Sequence, residues 1–178
     1  SITLSVLLPI ITAIGLVKLA QKFKAHHIIY LVVALLYLGL FGNYFYHFVT
    51  AYPIQSANAW QYEYKQLFTK FKDDFSKYDH VVVSAEYGQP YIFGLFYLKY
   101  DPMILREEAE YNHPGPGYFT PVRSYGNFEF VKVKNENLPQ GKNLVFAHPL
   151  EKLDQLDPKE TLYFPDGKSM WYIYESTR

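Results

Sequence analysis

The sequence predicts two N-terminal transmembrane helices within residues 1–50, followed by a small extracytoplasmic α/β domain, residues 51–178, with a mainly parallel sheet and a C-terminal β-hairpin. Three observations predict this class. All 17 acidic residues lie after residue 50, and the chain before that point holds only three of the 17 lysines and arginines. After residue 53, strand-like and helix-like apolar patterns alternate, as in α/β layer folds. Near the C-terminus, two short segments with strand-forming residues flank an Asp-Gly pair, as in a β-hairpin.

Two apolar segments make up the predicted membrane part. Residues 1–17 (SITLSVLLPIITAIGLV) and residues 28–50 (IIYLVVALLYLGLFGNYFYHFVT) contain no acid, lysine or arginine. A helix over the second segment would reach roughly 35 Å at about 1.5 Å per residue, enough to cross a hydrocarbon core. Neither segment has the polar face of a surface helix, so we expect both to span a membrane. The alternative is a buried helical hairpin in a soluble protein.

The connector between these segments predicts their orientation. Residues 18–27 (KLAQKFKAHH) contain three lysines and two histidines and no acid. Short lysine-rich loops stay in the cytoplasm, so we expect a multi-pass protein of the cell membrane with residues 51–178 outside the cytoplasm and the lipid bilayer as a partner. Aromatic residues gather where the second span would leave the membrane. The predicted membrane-interface residues are Tyr44, Tyr46, His47, Tyr52 and Trp60.

The elements of the α/β domain follow from periodicity. A helix capped by Ser56 or Asn58 is expected to run to about residue 78, because its apolar residues recur every three or four positions. That stripe consists of Trp60, Tyr64, Leu67, Phe68, Phe71 and Phe75. Strands are expected at 81–85, 128–134 and 143–148, a helix at 91–100, a short acidic helix or turn at 150–156, and the hairpin at 161–164 and 170–175.

Composition and motifs exclude several functions. The chain has no cysteine, which removes disulfides, thiol catalysis and thiolate metal sites. Residues 51–178 carry 14 basic and 17 acidic residues, a formal charge near −3, so we expect no nucleic-acid partner. Histidines at 26, 27, 80, 113 and 148 are not at metal-ligand spacing. No phosphate-binding glycine loop or nucleophile motif occurs. We therefore predict no metal, no cofactor and no catalytic residue in this chain.

Two stretches hold the candidate substrate-binding residues. Glu86, Tyr87 and Gln89 follow the strand predicted at 81–85, and ligands of open α/β sheets bind beyond the carboxyl ends of strands. The alternative for this stretch is a plain turn. A Pro- and Gly-rich loop at 111–121 (YNHPGPGYFTP) and the residues after it supply His113, Tyr118 and Arg123, because arginine binds phosphate or carboxylate and tyrosine stacks on sugar rings. The alternative for the loop is a stiff connector.

The chain also resembles a known family. The resemblance is carried by WQYEYKQLFTKF (60–71) and by KYDHVVVSAEYGQPYIFGLFYLKYDP (77–102), above all by Trp60, Tyr64, Tyr78-Asp79, Gln89-Pro90-Tyr91, Phe96-Tyr97 and Tyr100-Asp101-Pro102. Together with the two apolar segments, these residues resemble the C-terminal part of bacterial C-type membrane glycosyltransferases, the dolichyl-phosphate-mannose–protein mannosyltransferase-like family, which includes the lipid A aminoarabinose transferase.

The resemblance implies transfer of a sugar from a polyprenyl-phosphate donor to an extracytoplasmic acceptor. In that family the acidic catalytic residues lie in the first extracytoplasmic loop, which this sequence does not include. The chain begins with Ser in an apolar run, so we expect a piece of a longer protein in which residues 51–178 form an accessory or lid domain. The alternative is a membrane-anchored extracytoplasmic binding or interaction module without catalysis.

Overall fold

A computed structural model describes residues 2–22, 26–112, 121–154 and 156–178. The chain divides into two compact units, Ser1–Pro53 and Ile54–Arg178. The helices are α1 (Ile2–Ala20), α2 (His26–Thr50), α3 (Tyr52–Gln55), α4 (Tyr62–Lys70), α5 (Pro90–Leu98) and α6 (Pro102–Glu108). The strands are β1 (His80–Ser84), β2 (Glu110–Tyr111), β3 (Val122–Tyr125), β4 (Phe128–Val131), β5 (Lys142–Ala147), β6 (Glu160–Tyr163) and β7 (Ser169–Thr177).

The first unit contains the two helices predicted from the apolar segments. No described side chain of α2 is buried, and its mid-helix Leu38 is 67% exposed. Within the described residues, α2 is the one helix that is both long and apolar enough to cross a membrane. In α1 the apolar stretch with described side chains is the shorter segment Leu7–Ala20, so the second predicted span is not confirmed.

The second unit is built on one mixed sheet. Its described strands lie in the order β2-β3-β4-β1-β5-β7-β6. At the centre, β1 runs parallel to β4 and to β5. The four outer pairs are antiparallel, including the predicted C-terminal hairpin of β6 and β7. The prediction of a mixed α/β domain is confirmed.

The prediction of a mainly parallel sheet is wrong. It missed β2 and β3, which are two and four residues long and too short to show a clear alternation. A tight turn at Gly126-Asn127 joins β3 to β4, and so short a connection forces an antiparallel pair. Gly126 occupies the left-handed region there, with φ of 51°.

The two faces of the sheet are covered unequally. Successive side chains of a strand point to opposite faces, so Val81 and Val83 lie in one core cluster and Val82 in another. The larger cluster lies under α4 and α5 and is rich in aromatic residues. Its largest fully buried members are Trp171, Tyr64, Tyr125, Phe68 and Phe146. The smaller cluster packs Val82 and Val145 against Tyr174 and Leu153.

The helix predicted to run from a cap at Ser56 or Asn58 to about residue 78 is shorter than expected. Helix α4 covers only Tyr62–Lys70, because Gln61 takes a left-handed conformation (φ 55°) directly before it. A separate 3₁₀ turn, Phe75–Lys77, follows. Of the predicted stripe, Phe71 and Phe75 are buried outside α4, whereas Trp60 is 71% exposed and does not belong to the core.

The other predicted helical segments lie closer to the helices of the structure. Helix α5 begins at Pro90 and ends at Leu98, close to the predicted 91–100. Helix α6 was not predicted as an element, although Asp101 before Pro102 is a suitable cap: its carboxylate accepts the N–H of Met103 at 2.8 Å. The predicted helix or turn at 150–156 corresponds to a 3₁₀ turn over Pro149–Glu151.

Candidate functional site

A cavity lies beyond the carboxyl ends of two neighbouring parallel strands. Strands β1 and β5 pair in register, with Val83 opposite Phe146, and both end at the same edge of the sheet. The cavity has a volume of about 430 Å³. It is lined by Ile54, Gln55, Ala57, Asn58, Tyr87, His148, Pro149, Leu150, Phe164, Asp166, Lys168 and Ser169, all of them in the second unit.

The turn after β1 fixes Tyr87 in the wall of this cavity. The N–H of Glu86 donates to the hydroxyl oxygen of Ser84 at 3.1 Å, and the Nε2 of Gln61 donates to the carbonyl of Tyr87 at 2.9 Å. The phenol of Tyr87 donates to the carbonyl of Met170 at 3.0 Å. The turn and the hydroxyl are thus both tied to the domain, which holds the ring in one orientation.

His148 follows β5 and lies against Tyr87. The two ring centroids are 4.4 Å apart in an edge-to-face arrangement. The Nδ1 of His148 accepts the N–H of Leu150 at 3.1 Å, so in the neutral ring Nε2 carries the proton and is a donor. Burial lowers the pKa of His148, and the nearby charges of Glu151 and Glu86 oppose this only in part. The site therefore holds a neutral imidazole at pH 7.

The turn between β6 and β7 forms another part of the wall. The carboxylate of Asp166 accepts the N–H of Lys168 at 3.1 Å and pairs with its ammonium at 2.8 Å. The hydrogen bond from the Lys168 side chain is the main cause that lowers the pKa of Asp166. Phe164 and Leu150 add apolar surface, and Leu150 is 83% exposed.

The lining suits a ligand with many hydroxyl groups. Amides (Gln55, Asn58), a carboxylate, an ammonium, a hydroxyl and an imidazole N–H offer donors and acceptors together. Apolar side chains beside them can cover C–H surface, and pockets of this kind combine a few polar groups with apolar walls. The lining can therefore hold a small polar ligand through hydrogen bonds and apolar contacts.

A buried acid lies behind the cavity wall. Glu63, on the first turn of α4, is fully buried, and neither carboxylate oxygen has a hydrogen-bond partner among the described residues. Burial raises its pKa to about 7. The indole N–H of Trp171 donates to the backbone carbonyl of Glu63 at 3.3 Å. The phenol pKa of Tyr87 is raised mainly by burial and further by the charge of Glu63.

The predicted site residues are only partly brought together. Tyr87 lines the cavity, and exposed Glu86 acts on His148 through its charge. Gln89 lies at the N-terminus of α5 without a side-chain cap hydrogen bond. Arg123 lines a different cavity, which also includes His80 and Glu129, whose Nδ1 and Oε1 atoms lie 3.0 Å apart. His113 and Tyr118 lie outside the described residues.

His148 was missed as a site residue, although a signal for it existed. The sequence predicted a strand ending at this residue, and the rule that singled out Glu86 applies equally to the end of that strand. The polar residues of the β6–β7 turn gave no such signal. They reach the cavity only because β7 pairs with β5.

The predicted membrane-interface residues and the metal prediction can also be compared with the structure. Tyr44 and Tyr46 on α2 and Tyr52 after it are exposed, by 61%, 63% and 43%. The rings of Tyr44, Phe48 and Tyr52 stack in succession, with centroids 5.9 and 5.5 Å apart. Exposed His47 lies on the same stretch, and Trp60 is exposed in the second unit. Among the residues described, no group of three or more His, Asp or Glu side chains is placed to hold a metal ion.

Comparisons with known proteins add no family assignment. No protein-family model, curated protein or solved structure matches this chain. The glycosyltransferase resemblance therefore stays a prediction, and the fold described above stands on the chain's own residues.

Proposed function

We propose that this chain is the C-terminal part of an integral-membrane glycosyltransferase that transfers a sugar from a polyprenyl-phosphate donor to an extracytoplasmic acceptor. In this proposal α1 and α2 are the last two spans of a multi-pass protein, and the second unit is an accessory domain outside the cytoplasm. The catalytic acids lie in a part of the protein upstream of this sequence. The domain's task is to bind the hydroxyl-rich part of the donor or acceptor.

The observation that carries the proposal is the position of the family-like stretch. Residues 77–102 contain β1, the turn with Glu86 and Tyr87, and α5. The turn contributes Tyr87 to a cavity whose lining offers both hydrogen-bond donors and acceptors beside apolar surface. Saccharides present this same mixture of hydroxyl groups and C–H faces. The exposed apolar surface of α2 supports the membrane part of the proposal.

Fluorescence of Trp171 offers a direct test. The chain has two tryptophans, and Trp171 packs edge-on against Tyr87 with centroids 5.1 Å apart. In a Trp60→Phe background, the full chain in nanodiscs is titrated with mannosyl-phosphoryl polyprenol and, separately, with the polyprenyl phosphate lacking the sugar. We expect a saturable change in Trp171 emission with the sugar-bearing lipid only.

Two lysine variants make the test specific. Lys168→Ala removes a cavity side chain and should weaken binding, whereas Lys65→Ala on the outer surface of α4 should not. Saturation that is equal for both lipids, or that both variants leave unchanged, would contradict sugar binding at this cavity.

A second candidate function is a membrane-anchored binding module without any transferase activity. It is favoured by one observation: every residue lining the cavity belongs to the second unit, so the site needs no other part of the protein. The gene upstream discriminates between the two proposals. Further membrane spans with an acidic first extracytoplasmic loop would support the transferase, and a two-span protein would support the module.

A further inference from the structure

Helix α5 presents an apolar surface to the outside of the domain. Its sequence, PYIFGLFYL, has no charged residue. Gly94 faces the core, whereas Ile92 and Phe96, four residues apart on one side of the helix, are 45% and 72% exposed. A phenylalanine that is 72% exposed, with a second exposed apolar residue on the same side of the helix, needs an explanation.

The next helix also exposes apolar side chains. The first turn of α6 exposes Met103 and Ile104, by 61% and 45%. Exposed Lys99 lies on the turn between the two helices. We refer to Ile92, Phe96, Met103 and Ile104 as the α5–α6 apolar face.

The neighbouring helix shows the usual pattern. Helix α4 packs against α5, with Tyr64 stacked on Phe93 at 4.7 Å, and covers the same face of the sheet. Its exposed positions are Tyr62, Lys65, Thr69 and Lys70, so three of the four are polar. Two adjacent helices of one layer therefore differ in their exposed side chains. The exposed apolar residues belong to α5 and α6 and not to the helix layer as a whole.

The covalent link to α2 keeps the second unit next to any bilayer that α2 crosses. Helix α2 ends at Thr50, and the second unit begins at Ile54. Four residues span at most about 14 Å when fully extended. A bilayer is therefore available to exposed apolar residues of the second unit. Tethering of this kind makes even weak contacts effective.

We propose that the α5–α6 apolar face inserts into the outer lipid interface of the membrane that α2 crosses. This inference rests on the proposed membrane span. Aromatic and aliphatic side chains are the groups that enter the headgroup and acyl boundary, and Lys99 between the two helices is placed to meet anionic headgroups. The membrane would then hold the domain in one orientation above its surface.

Site-directed spin labelling tests this directly, because the chain contains no native cysteine to remove. Single variants Phe96→Cys and Met103→Cys carry a nitroxide in the full chain, reconstituted in nanodiscs of phosphatidylcholine and phosphatidylglycerol. Two further labels are references: Leu38→Cys in the middle of α2, and Tyr163→Cys on β6, where the native side chain is 54% exposed. Collision with oxygen reports lipid, and collision with a water-soluble nickel complex reports solvent.

We expect the oxygen-to-nickel ratio at positions 96 and 103 to be several-fold higher than at position 163, and highest at position 38. A lipid value at 38 with a water value at 96 and 103 would overturn the proposed face while leaving the span intact. A water value at 38 would overturn the span, and the face with it. Labels at 96 and 103 shielded from both reagents would mean that protein covers the face, and would also overturn the proposal.

Discussion

The two units of this chain use the same apolar residues in opposite ways. Phe41 on α2 is 61% exposed, whereas Phe146 on β5 is completely buried among Phe71 and Phe75. In the first unit the described apolar side chains of α2 are exposed around the helix, whereas in the second unit apolar side chains pack inward from the sheet and its helices. This contrast supports the proposal that the first unit lies in an apolar surrounding, while the second unit buries an apolar core of its own.

The largest expected effect comes from truncating one phenylalanine in each unit. Phe146→Ala opens a cavity in the aromatic core and should lower the free energy of unfolding of the second unit by about 3–5 kcal/mol. Phe41→Ala removes the same atoms from an exposed position and should change it by less than about 0.5 kcal/mol. Urea denaturation of the full chain in mild detergent, followed by Trp171 fluorescence, measures both. Similar losses of unfolding free energy in the two variants would contradict the difference between the two units.

The next effect is the pH dependence of the second unit's stability, which reports whether its core excludes water. Glu63 has a pKa of about 7 in the folded chain, against an ordinary value of 4.5, because it is buried. The folded state thus holds this proton more tightly than the unfolded state does. Between pH 4.5 and 7 the unfolded state loses the proton first, so stability falls as pH rises, by about 3 kcal/mol in total. Unfolding by urea at pH 5 and pH 8 measures the difference.

Two glutamine variants sharpen this prediction. Glu63→Gln removes the titrating group and should flatten the decline in stability between pH 5 and pH 8. Glu107→Gln, at an exposed position on α6, should leave the decline as it is in the parent chain. An unchanged decline in Glu63→Gln would show that the acid is solvated and the core less closed than described.

A smaller effect compares one glycine in each unit. A Cβ at Gly94 on α5 would collide with the hydroxyl of Tyr125 and lie 3.1 Å from Cζ of Phe68. Gly94→Ala should therefore destabilise the second unit by about 1–3 kcal/mol. At Gly42 on α2 a Cβ meets nothing within 4 Å, so Gly42→Ala should leave that unit's stability unchanged. Thermal unfolding followed by near-ultraviolet circular dichroism distinguishes them, and a neutral Gly94→Ala would contradict the close packing of α5 on β3.

Sequence alone predicted the elements whose pattern is strong and local. Strands β1 and β5 are continuous apolar runs and β6 and β7 surround an Asp-Gly turn, so each was predicted to within one or two residues. The two ends of α4 were not predicted correctly. The left-handed Gln61 before the helix and the turn after Lys70 contain no glycine or proline that would indicate a helix boundary. The sheet was predicted as mainly parallel because β2 and β3 are too short to register as strands.

The candidate site could be predicted only where it lies next to a strand in the sequence. Glu86 and Tyr87 follow β1 directly, and the rule for carboxyl ends of strands found them. The other polar residues of the site come from distant parts of the chain: His148, Asp166 and Lys168. They reach the site because β5 pairs with β1 and β7 pairs with β5. Both β5 and β7 begin 58 or more residues after the end of β1. The sequence also places Arg123 near the predicted loop, but strand pairing puts it at another cavity.

We propose that the first unit lies in a membrane and that the second unit lies outside the cytoplasm. Protease added to intact cells or spheroplasts expressing the full chain, with an antibody to its C-terminus, tests this most directly. We expect the C-terminal epitope to be lost while a cytoplasmic marker protein remains intact, and the chain to stay with the membrane after alkaline carbonate extraction. An epitope that is protected until the cells are lysed, or a chain released by carbonate, would contradict it.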